Sequence, residues 1–473
     1  MTTDRTENAR ATDRVSSRVT EPRTQPPRAP EPRAPASGAS GSETPQATAP
    51  QAPGPAVAGP RATSRRALLG ARVLLVLSVA ALVGLFLATR VPMGDTLVYR
   101  AEGQAVVDGT SLYDFVTTEW KLPATYPPFA AILFVPTTWI PVMAMKVCFF
   151  VANLGLLALL VRLSWRFAKL PNRPELILVA TAFALWLEPV FQTFVYGQIN
   201  LALACLVLWD LTRPKGALGK GVGLGIAAGI KLTPAIFIVY LLITGRIRNG
   251  LTALASFVAT VLFGILVLPS ASLDFWTRRM FETDRVGKVW IVDNQSLQGM
   301  LARAMHSMEP GLVWFACAAV VGLAGLWLAR RAVRTGREQW GIVVVALTMV
   351  LVSPISWSHH WVWCLPLLAL LAGERHFRTA AVLAVLFTCR SFWAIPHRGD
   401  LDVQAPWWQQ PGLSPYPMAG LALLGWLAWR MRHGGGGGGG DDGVVFGSGS
   451  LPLQKSAGPE PAGSTVSRSR ARD

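Results

Sequence analysis

Residues 67–100 read ALLGARVLLVLSVAALVGLFLATRVPMGDTLVYR. The run 67–88 carries Arg72 as its single charge. It reaches the ~20 residues, at about 1.5 Å each, that a helix needs to cross a bilayer. Asp95 follows a few residues later and opens a polar loop, 89–127, that closes on LPATYPPFAAILF. A carboxylate held where a membrane helix meets water is placed to take a proton from a hydroxyl group. It is equally placed to cap a helix, because its oxygens accept from free backbone N–H groups. Both readings stay open on the local sequence.

Runs of the same kind recur at roughly 128–163, 175–195, 198–212, 219–231, 233–244, 251–268, 311–330, 340–354, 359–373, 379–395 and 416–430. The chain is 51% hydrophobic and 15% charged over 473 residues, where a soluble chain carries roughly 25% charged residues. The expected fold is all-α and polytopic, with about twelve transmembrane helices and extracytoplasmic loops. The run 128–163 is too long for one crossing, and Pro141 is expected to divide a surface helix, 128–140, from the crossing proper. Residues 1–66 hold eleven prolines, and 434–473 begin with seven glycines. Neither stretch has the apolar content to bury a core, so disordered tails are expected around a membrane domain at 67–433. The head has no apolar core near its start, as a signal peptide would.

The net charge of +17 does not indicate nucleic acid, because the basic residues cluster in short loops between apolar runs. With both termini in the cytoplasm, twenty lysines and arginines of the loops and helix ends fall inside. Nine fall outside, in the loops 89–127, 269–310 and 396–415. That asymmetry is the positive-inside signature. The same orientation puts the long loops, with twelve acidic residues and several tryptophans, outside. Function concentrates in elaborate loops, so the working face is expected to be the outer one. Cys148, Cys205, Cys317, Cys364 and Cys389 all lie in apolar runs without a CxxC pair. Free thiols are expected rather than a disulfide framework or a zinc site.

Several polar groups stand out against this background. Tyr126 precedes Pro127 and Pro128, which read as a helix start. Tyr196-Gly197-Gln198-Ile199-Asn200 links two crossings; the glycine fits a helix end, and Gln198 and Asn200 need partners at membrane depth. Gly221, Gly225 and Gly229 recur every four residues and permit close helix contact. They lead to Lys231, expected at the apex of a hairpin of two short helices. Lys231 either snorkels to the interface or pairs with a lipid phosphate. His359 and His360 lie in SPISWSHHW (353–361); side by side, they suit a phosphate or a sugar ring better than a metal, and no HExxH is present. Arg100 and the pair Asn294-Gln295 are further candidates for a phosphate and a substrate. No Walker A loop, GxGxxG or GxSxG occurs, and no cofactor or metal is expected. Asp400-Leu401-Asp402 has the DxD form of nucleotide-sugar enzymes, but in an outer loop, where nucleotide sugars are absent.

GDTLVYR, DGTSLYD, TYPPFAAILF, YGQINLAL, GIAAGIKLTPAIFIVYLLITGR, NQSLQGML and SPISWSHHW follow one another over roughly residues 90–365. Together they resemble glycosyltransferase family 87, GT-C membrane enzymes of actinobacteria. The resemblance implies a polyprenyl-phosphate sugar donor, typically of mannose, presented from the outer leaflet of the plasma membrane. It implies a glycolipid or lipoglycan acceptor and inversion at the anomeric carbon. The family's catalytic aspartate, in the first outer loop, matches Asp95, and its histidine near the donor phosphate matches His359 or His360.

Transfer of arabinofuranose or another hexose is the alternative within the same class. A lipid or sugar transporter is the alternative outside it. Transporters often show repeated halves and coupling charges near the midplane; no repeat is evident here, and the acids sit in outer loops. A membrane scaffold would need neither a confined carboxylate nor a buried lysine.

Overall fold

The computed structural model describes residues 65–396 and 400–433. The expected tails, 434–473 and all but the last two residues of 1–66, lie outside the described residues. The described chain is mostly helical. Its strands are one short antiparallel pair, Val116–Thr117 with Leu122–Pro123, inside the first long loop.

Five helical segments are long and apolar enough to cross a membrane: Arg65–Thr89, Val142–Phe167, Ile247–Val267, Gly311–Arg334 and Phe377–Ala394. A sixth crossing is made if the bent pair Pro174–Ala184 and Glu188–Tyr196, angled at 68°, is counted as one. The protein is therefore an all-α membrane protein. The other apolar runs are helices too, but short, such as Asn200–Thr212 and Glu338–Val352. Glu338–Val352 is buried along most of its length and is wrapped by protein rather than by lipid.

The first helix, α1 (Arg65–Thr89), leaves most of its apolar side chains exposed, as lipid contact requires. The chain then turns through Met93, whose φ of 50° lies in the left-handed region, and enters α2 (Gly94–Asp108). Met93 occupies the cap position without a side-chain bond, and Asp95 stands in the first turn. The structure shows no capping bond from Asp95; its carboxylate instead accepts from Gln198, more than a hundred residues on.

Pro127 and Pro128 open α3 (Pro128–Phe134), with Pro128 at the position where a missing N–H costs nothing. Pro141 separates this surface element from α4 (Val142–Phe167), as expected. Beyond α4, α5 (Pro174–Ala184) and α6 (Glu188–Tyr196) form the bent pair. Gly197 ends α6 at φ 72°, and α7 (Asn200–Thr212) descends from there. Next, α8 (Val222–Ile230) and α9 (Ile236–Ile243) form the hairpin, with Lys231 at its turn.

The hairpin packs on α10 (Ile247–Val267). Side chains in place of Gly221, Gly225 and Gly229 would collide with Asn249, Ala253 and Thr260 of α10. The four-residue spacing of small residues is what lets the two backbones touch. At the other end of α8, the buried Asp210 accepts from the amides of Gly221 and Leu224 at 2.9 Å each. That carboxylate satisfies the helix start and complements its dipole.

Candidate active site

Gly197 decides where the site forms. A Cβ there would strike Thr96 and Met93, so only glycine lets the end of α6 press against the start of α2. The contact brings Gln198 to Asp95, and the Gln198 amide nitrogen donates to the Asp95 carboxylate. The Gln198 oxygen accepts from Tyr99 at 2.9 Å and from Tyr126 at 3.2 Å. Asn153 of α4 donates to the Gln198 carbonyl at 3.1 Å. Every group of the glutamine side chain is therefore fixed, and with it the side of Asp95 it touches.

Asp95 is half-buried. Burial pushes its carboxyl up to about 7, against the opposing pull of the Gln198 hydrogen bond and the charge of Lys231. A carboxyl so poised is a proton acceptor near neutral pH.

Across from Asp95, Lys231 bonds to Nε2 of His360 at 2.8 Å and to Oδ1 of Asn200 at 3.2 Å. Its ammonium also lies 5.6 Å from the centre of the Tyr126 ring. Lys231 is thus held inside the protein rather than extended to the interface. The Lys231 ammonium donating to Nε2 requires the His360 ring proton on Nδ1. Asn200, Lys231, Thr233, Ser356 and His360 contribute the polar lining of a cavity of about 30 Å³, room for one or two waters.

The two histidines do different things. His360 is half-buried and faces Lys231. His359 is 2% exposed and packs edge-on against Tyr196 and His360, at centroid distances of 5.2 and 4.9 Å. Neither ring nitrogen of His359 has a hydrogen-bond partner. Both residues belong to a 3-10 helix, Ser358–Trp363, whose first amide donates to the Asp293 carboxylate at 3.1 Å.

Three of the candidate residues stand elsewhere. Arg100 donates to the carbonyls of Thr137, Thr138 and Ile140, where it closes the surface segment before α4. Asn294 bonds the carbonyls of Val289 and Pro354 and accepts from the amides of Ser296 and Ser356. Gln295 bonds the carbonyls of Val292 and Leu413 and accepts from the amide of Tyr416. Both are fully buried, and their polar atoms hold loops together. The residues that the sequence did not single out are Tyr99 and Asp293. Tyr99 lies four positions after Asp95 on one helix, hence on the same face, and Asp293 precedes Asn294 directly. Both spacings were signals available in the sequence.

The family model for glycosyltransferase family 87 matches residues 124–354. That range includes Tyr126, Gln198, Asn200 and Lys231; it begins after Asp95 and ends before His359. A polyprenol-phosphate-mannose-dependent alpha-(1-2)-phosphatidylinositol mannoside mannosyltransferase of Mycobacterium tuberculosis is 33% identical over 359 residues, 70% of this chain and 82% of the relative. The chain belongs to glycosyltransferase family 87. A second relative with the same description, from Mycolicibacterium smegmatis, is 37% identical over 63% of this chain and 74% of its own length. A polyprenol-phosphate-mannose-dependent alpha-(1-2)-phosphatidylinositol pentamannoside mannosyltransferase of that organism is 34% identical over 71% of this chain and 84% of its own length. No solved structure matches the chain. As a member of family 87 it is a membrane glycosyltransferase.

Proposed function

We propose that the enzyme transfers mannose from a polyprenyl-phosphate donor to a glycolipid acceptor of the phosphatidylinositol mannoside type, at the outer face of the plasma membrane. The observation that carries this reading is the half-buried Asp95 carboxylate facing the Lys231–His360 pair across one site. The family and the substrates named for the relatives agree with it.

In the proposed reaction the donor's polyprenyl tail lies in lipid and its phosphate sits against Lys231 and His360. The acceptor hydroxyl attacks the anomeric carbon, and Asp95 takes its proton. The carbon–oxygen bond to phosphate breaks with inversion, and the phosphate leaves with the bonding electrons. The lysine and histidine donors are fixed beforehand, so they stabilise the charge that develops without rearranging. A phosphate leaves unprotonated, so one carboxylate suffices where a hydrolase uses two.

The basic inner loops support placing both termini in the cytoplasm and the site outside, with the shorter apolar helices completing about twelve passes. Residues 67–433 would form the catalytic domain, and 1–66 and 434–473 would be accessory. The test is transfer by the purified full chain of labelled mannose from polyprenyl-phosphate-mannose to phosphatidylinositol mannosides. Absence of product with the donor intact would overturn the reading.

A further inference from the structure

A second carboxylate faces the same site and has no part in the reaction as written. Asp293 is half-buried. Its backbone is clamped on both sides: Arg303 binds the carbonyls of Ile291 and Asn294, at 2.9 and 3.1 Å. The amide of Ser358 donates to both the Asp293 carbonyl, at 2.8 Å, and its Oδ1, at 3.1 Å. Oδ2 meets the hydroxyl of Tyr196 at 3.5 Å, the outer limit of a hydrogen bond. No ion pair among the described residues includes Asp293. A carboxylate accepts about four hydrogen bonds, and the Ser358 amide and Tyr196 hydroxyl hold this one in place while leaving it acceptor capacity.

Its position says what the unused capacity is for. The Ser358 amide that holds Asp293 begins the 3-10 helix carrying His360, so Asp293 is built into the Lys231–His360 side of the site. Its Oδ2 meets Tyr196, two residues before the Gln198 that holds Asp95 on the other side. A group reaching both walls lies along the space between leaving phosphate and base. A neutral, hydroxyl-rich ligand suits an unpaired fixed carboxylate there, because two neighbouring hydroxyls donate to its two oxygens.

We propose that Asp293 binds hydroxyl groups of the sugar being transferred and thereby sets which sugar the enzyme accepts. The proposal rests on the reading of Asp95 and the Lys231–His360 pair as the transfer site. Asp293 acts on the donor sugar's ring and takes no proton.

The experiment is donor kinetics of the purified full-length Asp293→Asn enzyme, with polyprenyl-phosphate-mannose and polyprenyl-phosphate-glucose at saturating acceptor. Asparagine keeps an acceptor oxygen for the Ser358 amide, so the loop retains its anchor. The donor KM should rise about tenfold or more, the size expected for lost hydrogen bonds to a charged group. The preference for mannose over glucose in kcat/KM should fall, and the acceptor KM should stay unchanged. The acid limb of kcat/KM should move to lower pH, because a negative charge near Asp95 is gone. Unchanged donor KM and sugar preference would overturn the proposal. So would a collapse of kcat with donor binding intact, or a rise in acceptor KM alone. If Asp293→Asn does not fold, Tyr196→Phe, which removes only the hydroxyl facing Oδ2, should raise the donor KM several-fold; no change would overturn the proposal. Asp95→Asn in the same assay separates the two layers. Its retained turnover sinks the site reading itself; an inactive Asp95→Asn beside an unaltered Asp293→Asn sinks the sugar-binding role alone.

Discussion

Gln198 holds Asp95 with its amide nitrogen while its oxygen accepts from Tyr99 and Tyr126. One side chain from the end of α6 thus joins the carboxylate to two aromatic hydroxyls from the first long loop. The junction exists because Gly197 has no side chain to keep α6 off α2.

Asp95→Asn should lower kcat by about 10²–10⁴-fold, the range a general base contributes, with donor binding retained. In the parent enzyme, kcat/KM should climb as pH rises through about 7, because the base acts only when deprotonated and burial raises its pKa to that value. A flat profile between pH 5 and 8 would count against Asp95 as the base.

Lys231→Met keeps the bulk of the stem and deletes the cation. It should weaken donor use and move the acid limb to higher pH, since the positive charge that favours ionised Asp95 is lost. Measured pH profiles of the two variants should therefore shift in opposite senses, upward for Lys231→Met and downward for Asp293→Asn.

The histidines should separate. His360→Ala removes one of the two hydrogen-bond partners of Lys231 and should raise the donor KM or lower kcat. His359→Ala deletes a buried ring packed against Tyr196 and should show first as lost thermal stability in detergent. Equal kinetic defects at unchanged stability would contradict this division.

Arg100→Met should destabilise the protein with little effect on donor KM, because the guanidinium holds the Thr137, Thr138 and Ile140 carbonyls. Loss of hydrogen bonds from a charged group costs about 1.5–3 kcal/mol. Unfolding in detergent and donor kinetics on the same preparation decide between a scaffold and a phosphate contact.

Topology is checked by labelling introduced cysteines in intact cells after replacing the five natural ones. Positions 121 and 288 should react with an impermeant reagent, and positions 215 and 375 should not. The reverse pattern would turn the site toward the cytoplasm and exclude a lipid-linked donor at the outer leaflet.

The sequence by itself determined the class of the protein, because burial in lipid is written along the chain as apolar runs that any local window detects. Pro141, the Pro127-Pro128 helix start and the glycine stripe before Lys231 were legible for the same reason: each acts within a few residues of itself. Twelve runs of similar hydropathy did not disclose which of them form long apolar helices, five or six among the described residues, and which form short ones. A helix wrapped by protein, such as Glu338–Val352, is as apolar as one facing lipid. Tertiary structure alone decided what the polar side chains do. Asp95 and Gln198 are 103 residues apart, and Lys231 and His360 are 129 apart. The loops that Asn294 and Gln295 tie together, through the carbonyls of Pro354 and Leu413, were visible only in the folded chain. A polar group's role depends on which partner satisfies it, and helix packing, not local sequence, delivers that partner.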